Sequence, residues 1–385
     1  MFDFDTPVSR KNTDSLKWDL RDCRYPLWVA DMDFPAAPPI REALVAKLAT
    51  GVYGYQLVPA DFAPAVADWW RTRHGWAVDP SWVIFTTGVV PAVTTLVKCL
   101  TNVGDNVVLF TPVYDIFFHS VENTGRRVLE CPLSYDGAYS VDWADLEAKL
   151  AHPHTTLMIL CNPHNPTGQV WSEKDLTSIG NLCQKHGVTV LSDEIHCDLT
   201  LPSVDYCPYG RTPYGLGAVT CVSASKAFNL AGLQGAAVIV PNLHLRERVE
   251  RALNACEVAE PNVLAAVGTV AAFRQGAAWL EELRAYLYAN RLSLVAYLAE
   301  ALPEAHVVEQ QATYLVWVDM SRLLADTTAL CAYLRKECGV WVTAGAQYRG
   351  NGASFVRINV ACPRASLLEG LRAFVEGTRR YLSHS

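Results

Sequence analysis

From residue 80 onwards the chain alternates short, continuous apolar runs with amphipathic stretches, and this alternation constrains the fold more than any other feature. The runs Trp82–Thr86, Asn106–Phe110, Arg127–Cys131, Thr156–Cys161, Val188–Ser192, Val219–Ser223 and Ala236–Val240 read as strands. Between them Val89–Leu100, Asp142–Leu150 and Ser172–His186 read as helices. The last has Ser172 at its N-cap, Asp175 three residues on, and Gly187 at its stop. Strands that are apolar without a period of two are buried on both faces. A mainly parallel sheet with helices packed on either side provides that environment, so the expected class is α/β.

The last hundred residues change character. A long amphipathic helix, Ala277–Ala301, leads to a strand at Thr313–Val318, a helix at Thr327–Glu337, a strand at Ser354–Val360 and a final helix at Ala365–Leu382. This reads as a smaller α+β unit that begins near the turn Arg274-Gln275-Gly276. The first forty residues carry Pro7, Pro26, Pro35, Pro38 and Pro39 and read as extended chain crossing back to that unit. The expected division is a large domain over 39–275 and a small one made of 1–38 with 276–385. No internal repeat or low-complexity linker interrupts it.

Composition removes several classes of function. The chain has 385 residues, 51% hydrophobic and 18% charged, which excludes disorder as its dominant state. Lys and Arg number 32 against 39 Asp and Glu, a net charge of −7, so no broad positive field exists for a nucleic-acid backbone. The basic stretch Arg246 to Arg251 is interleaved with glutamates and reads as a solvated helix face. Twelve cysteines are scattered without a Cys-x-x-Cys pair, which argues against a zinc knuckle and for a reducing, cytoplasmic setting. The acidic start, Met1-Phe-Asp-Phe-Asp, lacks the order of a signal peptide. The uncharged run Pro80 to Val97 is broken by Pro91 and Gly88 and makes a poor membrane span.

Ligands of an open parallel sheet bind at the carboxyl ends of its strands, so the residues that follow each apolar run carry the functional signal. After Thr86 comes Thr87-Gly88-Val89-Val90, a glycine turn whose following helix can offer backbone N–H groups to a phosphate. After Cys161 come two Asn-Pro pairs, Asn162-Pro163 and Asn165-Pro166, which place Asn165 as a neutral donor in a crevice. After Ser192 comes Asp193-Glu194-Ile195-His196, and a carboxylate at the inner end of a buried strand calls for a cationic partner. After Val222 comes Ser223-Ala224-Ser225-Lys226, a lysine beside two hydroxyls. A desolvated lysine loses basicity and becomes suited to Schiff-base chemistry. A phosphate-holding turn, a neutral donor, a buried anion and a reactive lysine are together the parts required by pyridoxal 5′-phosphate.

These segments resemble the fold-type I aminotransferase-like proteins. Finer marks narrow the resemblance: Arg10-Lys11-Asn12, Ser15-Leu16-Lys17-Trp18-Asp19, Val29-Ala30-Asp31-Met32-Asp33-Phe34, Gly54-Tyr55, Thr111-Pro112-Val113-Tyr114 and Phe355-Val356-Arg357-Ile358-Asn359 look like the MalY/PatB group of C–S lyases and the related cystalysin. The resemblance runs from about residue 2 to 380. It implies a mainly parallel seven-stranded sheet in the large domain and β-elimination from cystathionine, cysteine or another S-conjugate. It implies Lys226 as the Schiff-base lysine and proton carrier. Asp193 would pair with the pyridine nitrogen, Asn165 and His196 would lie near the phenolic oxygen, and Tyr114 would stack on the ring. Gly88, Val89 and Val90 amides with Ser223 and Ser225 would hold the phosphate, reached also by Tyr55 of a second subunit in a homodimer. Arg357 would grip the substrate α-carboxylate, with Asn165, Tyr114 and Ala30 beside it.

Two departures bear on specificity. Gln234 stands where many aminotransferases place an arginine, eight residues after the lysine, and Asp115 stands where cystalysin has a second tyrosine. A transaminase on the same fold, and a regulator-binding protein with incidental lyase activity, are the alternative expectations.

Overall fold

The computed structural model describes residues 2–384. Its main sheet has seven strands, in the spatial order Val83–Thr86, Ala236–Ile239, Val219–Val222, Thr189–Asp193, Thr155–Cys161, Asn106–Thr111 and Arg127–Pro132. All run in one direction except Ala236–Ile239, which is antiparallel to both neighbours. The expected run positions hold to within a residue or two at each end.

Successive side chains of a strand point to opposite faces, so each central strand feeds two cores. Val107, Leu109, Leu157 and Ile159 pack with the helix Val89–Leu100 on one face. Val108, Phe110, Met158 and Leu160 pack with the helix Glu173–Lys185 on the other. That second helix is capped as its sequence indicates: Ser172 Oγ accepts from the Asp175 N–H at 3.1 Å and donates to the Asp175 carboxylate at 2.6 Å.

The C-terminal region adds a four-stranded antiparallel sheet of His306–Val307, Leu315–Asp319, Phe355–Asn359 and Thr343–Ala344. The short strand Tyr25–Pro26 runs parallel to Val340–Trp341, so the N-terminal segment does cross to this region. It is not extended throughout, however. Leu16–Asp19 and Pro38–Leu48 are helical. Pro38 and Pro39 read as extended in the sequence, yet they occupy the first turn of a helix, where a missing N–H costs nothing.

Trp69 and Trp70 lie in the core between Phe62–His74 and the main sheet. All twelve cysteines are free, and of them only Cys256 is exposed. Among the described residues no helix is long and apolar enough to cross a membrane.

Candidate active site

Three adjacent strands, Thr155–Cys161, Thr189–Asp193 and Val219–Val222, end on one edge of the sheet and deliver Asn165, Asp193, His196 and Lys226 to a common cavity of about 240 Å³. Gly88, Val89, Val90 and Tyr114 line it from the neighbouring turns, with Ser223, Ser225, Ala30 and Gln234. The parallel order is what brings these distant residues together, since each strand ends where its neighbours do.

Lys226 is half-buried on the cavity wall, and its Nζ donates to the Ala30 carbonyl at 2.8 Å. Burial lowers its pKa to about 8. The charges of Asp31 and Asp193 oppose that shift, and the Arg357 charge adds to it. Asp193 is 3% exposed, and its Oδ1 accepts one bond, from the Ile195 N–H at 3.1 Å. Burial pushes its carboxyl up to about 7, and the Lys226 charge and that one bond pull it back. A carboxylate so poorly partnered is poised to take a cationic N–H from a ligand.

His196 is buried, and its Nδ1 has no partner. Desolvation, then the charges of Lys226 and Arg357, hold its pKa down to about 3, so the ring is neutral. Arg357 rises from the C-terminal sheet. Its Nη1 donates to Asn165 Oδ1 at 3.1 Å and its Nη2 to the Trp28 carbonyl at 3.0 Å, while Nε is buried and unpaired. The guanidinium lies 4.9 Å from the centre of the Tyr348 ring.

At the other end of the cavity, Gly88 precedes the helix Val89–Leu100 with φ of 148°, a backbone conformation that favours glycine. The first-turn amides of that helix have no helical acceptor. Ser223 Oγ donates to the Gly235 carbonyl at 2.7 Å and accepts from the Ser225 N–H at 3.0 Å. Gln234, in the left-handed region with φ of 56° and ψ of 54°, completes the rim without adding a charge.

An electron-withdrawing ring with a phosphate tail fits these residues. The unpartnered Nδ1 of His196 and the under-bonded carboxylate of Asp193 suit the ring's polar edges. The glycine turn with its free amides and two serines suits the tail.

Of the residues the sequence placed at the site, Arg357 is off the cavity wall but bonded to Asn165, which lines it, and Tyr55 stands away from the cavity. It is wholly exposed, in a segment with Val52, Tyr53 and Leu57 also exposed. The sequence reading missed Trp28, whose carbonyl anchors Arg357, and Tyr348 beneath it. Both lie outside the strand-end pattern, and a backbone carbonyl leaves no mark in a side-chain motif.

Among the described residues one cluster of possible ligand groups, His74, Cys197 and Asp198, is buried elsewhere. Asp198 there already accepts from Trp69, Arg73 and His74, so the cluster reads as a satisfied structural network.

The profile of the class I and II aminotransferases matches residues 31–374. The chain belongs to that family. It is 40% identical to cystathionine beta-lyase PatB of Bacillus subtilis over 96% of this chain and 98% of PatB. It is 36% identical to protein MalY of Escherichia coli over 98% of this chain and 99% of MalY. Among solved structures it is similar to cystalysin from Treponema denticola, a protein with a pyridoxal 5′-phosphate cofactor. The TM-score is 0.95 and the identity 30%, over 99% of this chain and 100% of cystalysin.

Proposed function

We propose that the protein is a pyridoxal 5′-phosphate-dependent carbon–sulfur lyase. It would eliminate the thiol from S-substituted L-cysteines such as L-cystathionine and leave pyruvate and ammonia. The observation that carries this reading is the convergence of the Lys226 amine and the buried Asp193 carboxylate in one cavity. Full-length similarity to PatB, and an uncharged Gln234 where transaminases commonly hold an arginine, favour elimination over amino transfer.

When bound, the cofactor supplies an aldehyde for amines and a ring that withdraws electrons from the substrate Cα. Gly88, Val89 and Val90 would offer amides to its phosphate, with Ser223 and Ser225. Tyr114 would pack on the ring, and Asn165 and His196 would face its oxygen. Asp193 would hold a proton at the ring nitrogen, a pairing that lowers the cost of its buried charge. Arg357 would receive the substrate α-carboxylate, with Ala30 beside it. Lys226 Nζ, below its ordinary basicity, takes the α-proton. A positioned base of this kind is worth roughly a hundred- to ten-thousand-fold in rate. The Cβ–S bond then breaks, the thiolate leaves, and the released aminoacrylate hydrolyses to pyruvate and ammonia.

The same reading includes a homodimer. The exposed apolar segment at Val52–Leu57 would be covered by a second copy, and Tyr55 would reach the partner's phosphate site. It also keeps the division into 39–275 and 1–38 with 276–385, and a cytoplasmic location consistent with twelve free cysteines.

The test is pyruvate release from L-cystathionine by the purified protein with pyridoxal 5′-phosphate and no keto acid. Steady pyruvate formation that disappears in Lys226→Ala supports elimination. Turnover that appears only when a keto-acid acceptor is added replaces it with amino transfer.

A further inference from the structure

The segments Arg10-Lys11-Asn12, Ser15–Asp19 and Val29–Phe34 stand out in the sequence, and the chemistry above leaves the first two without a task. In the structure they form one assembly. Arg10 grips Asp31 with both terminal nitrogens, Nη2 to Oδ2 at 2.8 Å and Nη1 to Oδ1 at 3.1 Å. The same Nη1 donates to the Met32 carbonyl at 2.9 Å and to Asp33 Oδ1 at 3.0 Å. Lys17 has a fully buried side chain, and its Nζ donates to Asp33 Oδ2 at 2.8 Å and to the Asp31 carbonyl at 3.1 Å. Trp18 Nε1 adds a bond to Asp33 Oδ1 at 2.9 Å.

The strap Val29–Asp33 is held from the other side as well. Asn359 Nδ2 donates to the Val29 and Asp31 carbonyls at 2.6 and 2.8 Å, and Asn229 Nδ2 to the Met32 carbonyl at 3.0 Å. Its second carbonyl, that of Ala30, is the acceptor for Lys226 Nζ. The N-terminal arm therefore ends in direct contact with the reactive amine.

We propose that Arg10 is a positioning residue for Lys226: its fork pins the strap that presents the Ala30 carbonyl, and it neutralises the Asp31 carboxylate that would otherwise hold a proton on the lysine nitrogen. This rests on Lys226 being the amine that carries the cofactor. The groups acting on that nitrogen are Asp31 and Asp193, which favour the protonated form, and Arg357, which opposes it; His196 beside them is neutral. Asp31 follows Ala30 in the strap that Lys226 Nζ touches, and Arg10 is the cation bound to it. Removing Arg10 unmasks Asp31 and favours the proton. Removing the Asp31 charge does the reverse.

The test is a pH titration of the holoenzyme, following the visible absorbance of the cofactor. Borohydride reduction and peptide mass then place the cofactor on Lys226. Arg10→Gln should raise the titration midpoint by about one pH unit, Asp31→Asn should lower it by a similar amount, and Arg10→Gln with Asp31→Asn should show no upward shift. Arg10→Lys, which keeps the charge but not the fork, should fall between wild type and Arg10→Gln. A midpoint unmoved in Arg10→Gln, even with a lower Tm, would mean the arm is only structural and overturns the proposal. So does an upward shift that persists in the double variant. If Arg10→Gln does not fold, Asp31→Asn decides, because it keeps shape and removes charge; an unmoved midpoint there overturns the proposal. If reduction places no cofactor on Lys226 in the wild type, the assignment of the lysine falls first and this proposal with it.

Discussion

Arg357 stands on the C-terminal sheet and Asn165 in the turn after the main-sheet strand Thr155–Cys161, and a single hydrogen bond of 3.1 Å from Nη1 to Oδ1 joins them. The remaining nitrogens of Arg357 are fixed or free in a revealing way: Nη2 is tied to Trp28, and Nε is buried with nothing to donate to. A substrate carboxylate would satisfy that last donor. Arg357→Lys keeps the charge and loses the fork, and hydrogen bonds to charged groups are worth about 1.5–3 kcal/mol. The expected result is a KM for L-cystathionine raised roughly ten- to a hundredfold, with kcat changed much less. An unchanged KM would remove Arg357 from the substrate site.

Lys17 and Asp33 make a buried pair, with side chains 0% and 5% exposed. Removing one partner strands the other charge. Lys17→Met should lower the unfolding free energy by about 3–5 kcal/mol in chemical denaturation. Lys17→Arg should recover little, because the buried space is shaped for an ammonium. A loss below 1 kcal/mol in Lys17→Met would show that Arg10 and Trp18 already satisfy Asp33 without the lysine.

His164 is 1% exposed, and its Nε2 contacts the Pro112 carbonyl at 2.8 Å. Burial lowers its pKa to about 4. The unfolded chain takes up a proton near pH 6.5, the folded one only near pH 4, so this residue's contribution is intact above 6.5 and is lost as the pH falls. Between pH 6.5 and 4.5 the wild type should lose about 2 kcal/mol more stability than His164→Gln. Parallel stability curves for the two proteins would show that the histidine takes up its proton in the fold as readily as in the unfolded chain.

Tyr55 lends itself to a complementation test. Tyr55→Ala and Lys226→Ala should each be inactive, or nearly so, alone. If each site draws its tyrosine from the partner, a mixed dimer has one intact site. Random reassociation should then restore about a quarter of wild-type pyruvate release. No recovery, with subunit exchange confirmed by mass, would place Tyr55 outside the site.

The sequence made the strand ends legible because each site residue follows an apolar run whose burial leaves few alternatives for a polar neighbour. Asp193 and Lys226 are costly at such places unless they have a task, and costliness is a signal that composition alone can carry. The helices Pro38–Leu48 and Phe62–His74 were not legible. Prolines open the first, and the second mixes Trp69-Trp70 with Arg71 and Arg73 in a way that hides its buried face. Trp28 and Tyr348 escaped for a different reason: one acts through its backbone, and the other sits in a short 3₁₀ turn, Gly345–Tyr348, with no periodicity to expose it. Tyr55 shows the limit from the other side. Its motif was visible, yet the structure leaves its side chain wholly exposed and away from the cavity.

The strap Val29–Asp33 also sets an order of events during synthesis. Its residues are made before the groups that seat them, Asn229 and Asn359. The main sheet can form while the chain is still growing, because its strands are complete by Ile239. The seat of the strap that touches Lys226 cannot, because it needs Asn359. A nascent chain stalled before Asn359 would hold Lys226, Asp193 and the Gly88 turn on the finished sheet, with the Val29 and Asp31 carbonyls still without that amide.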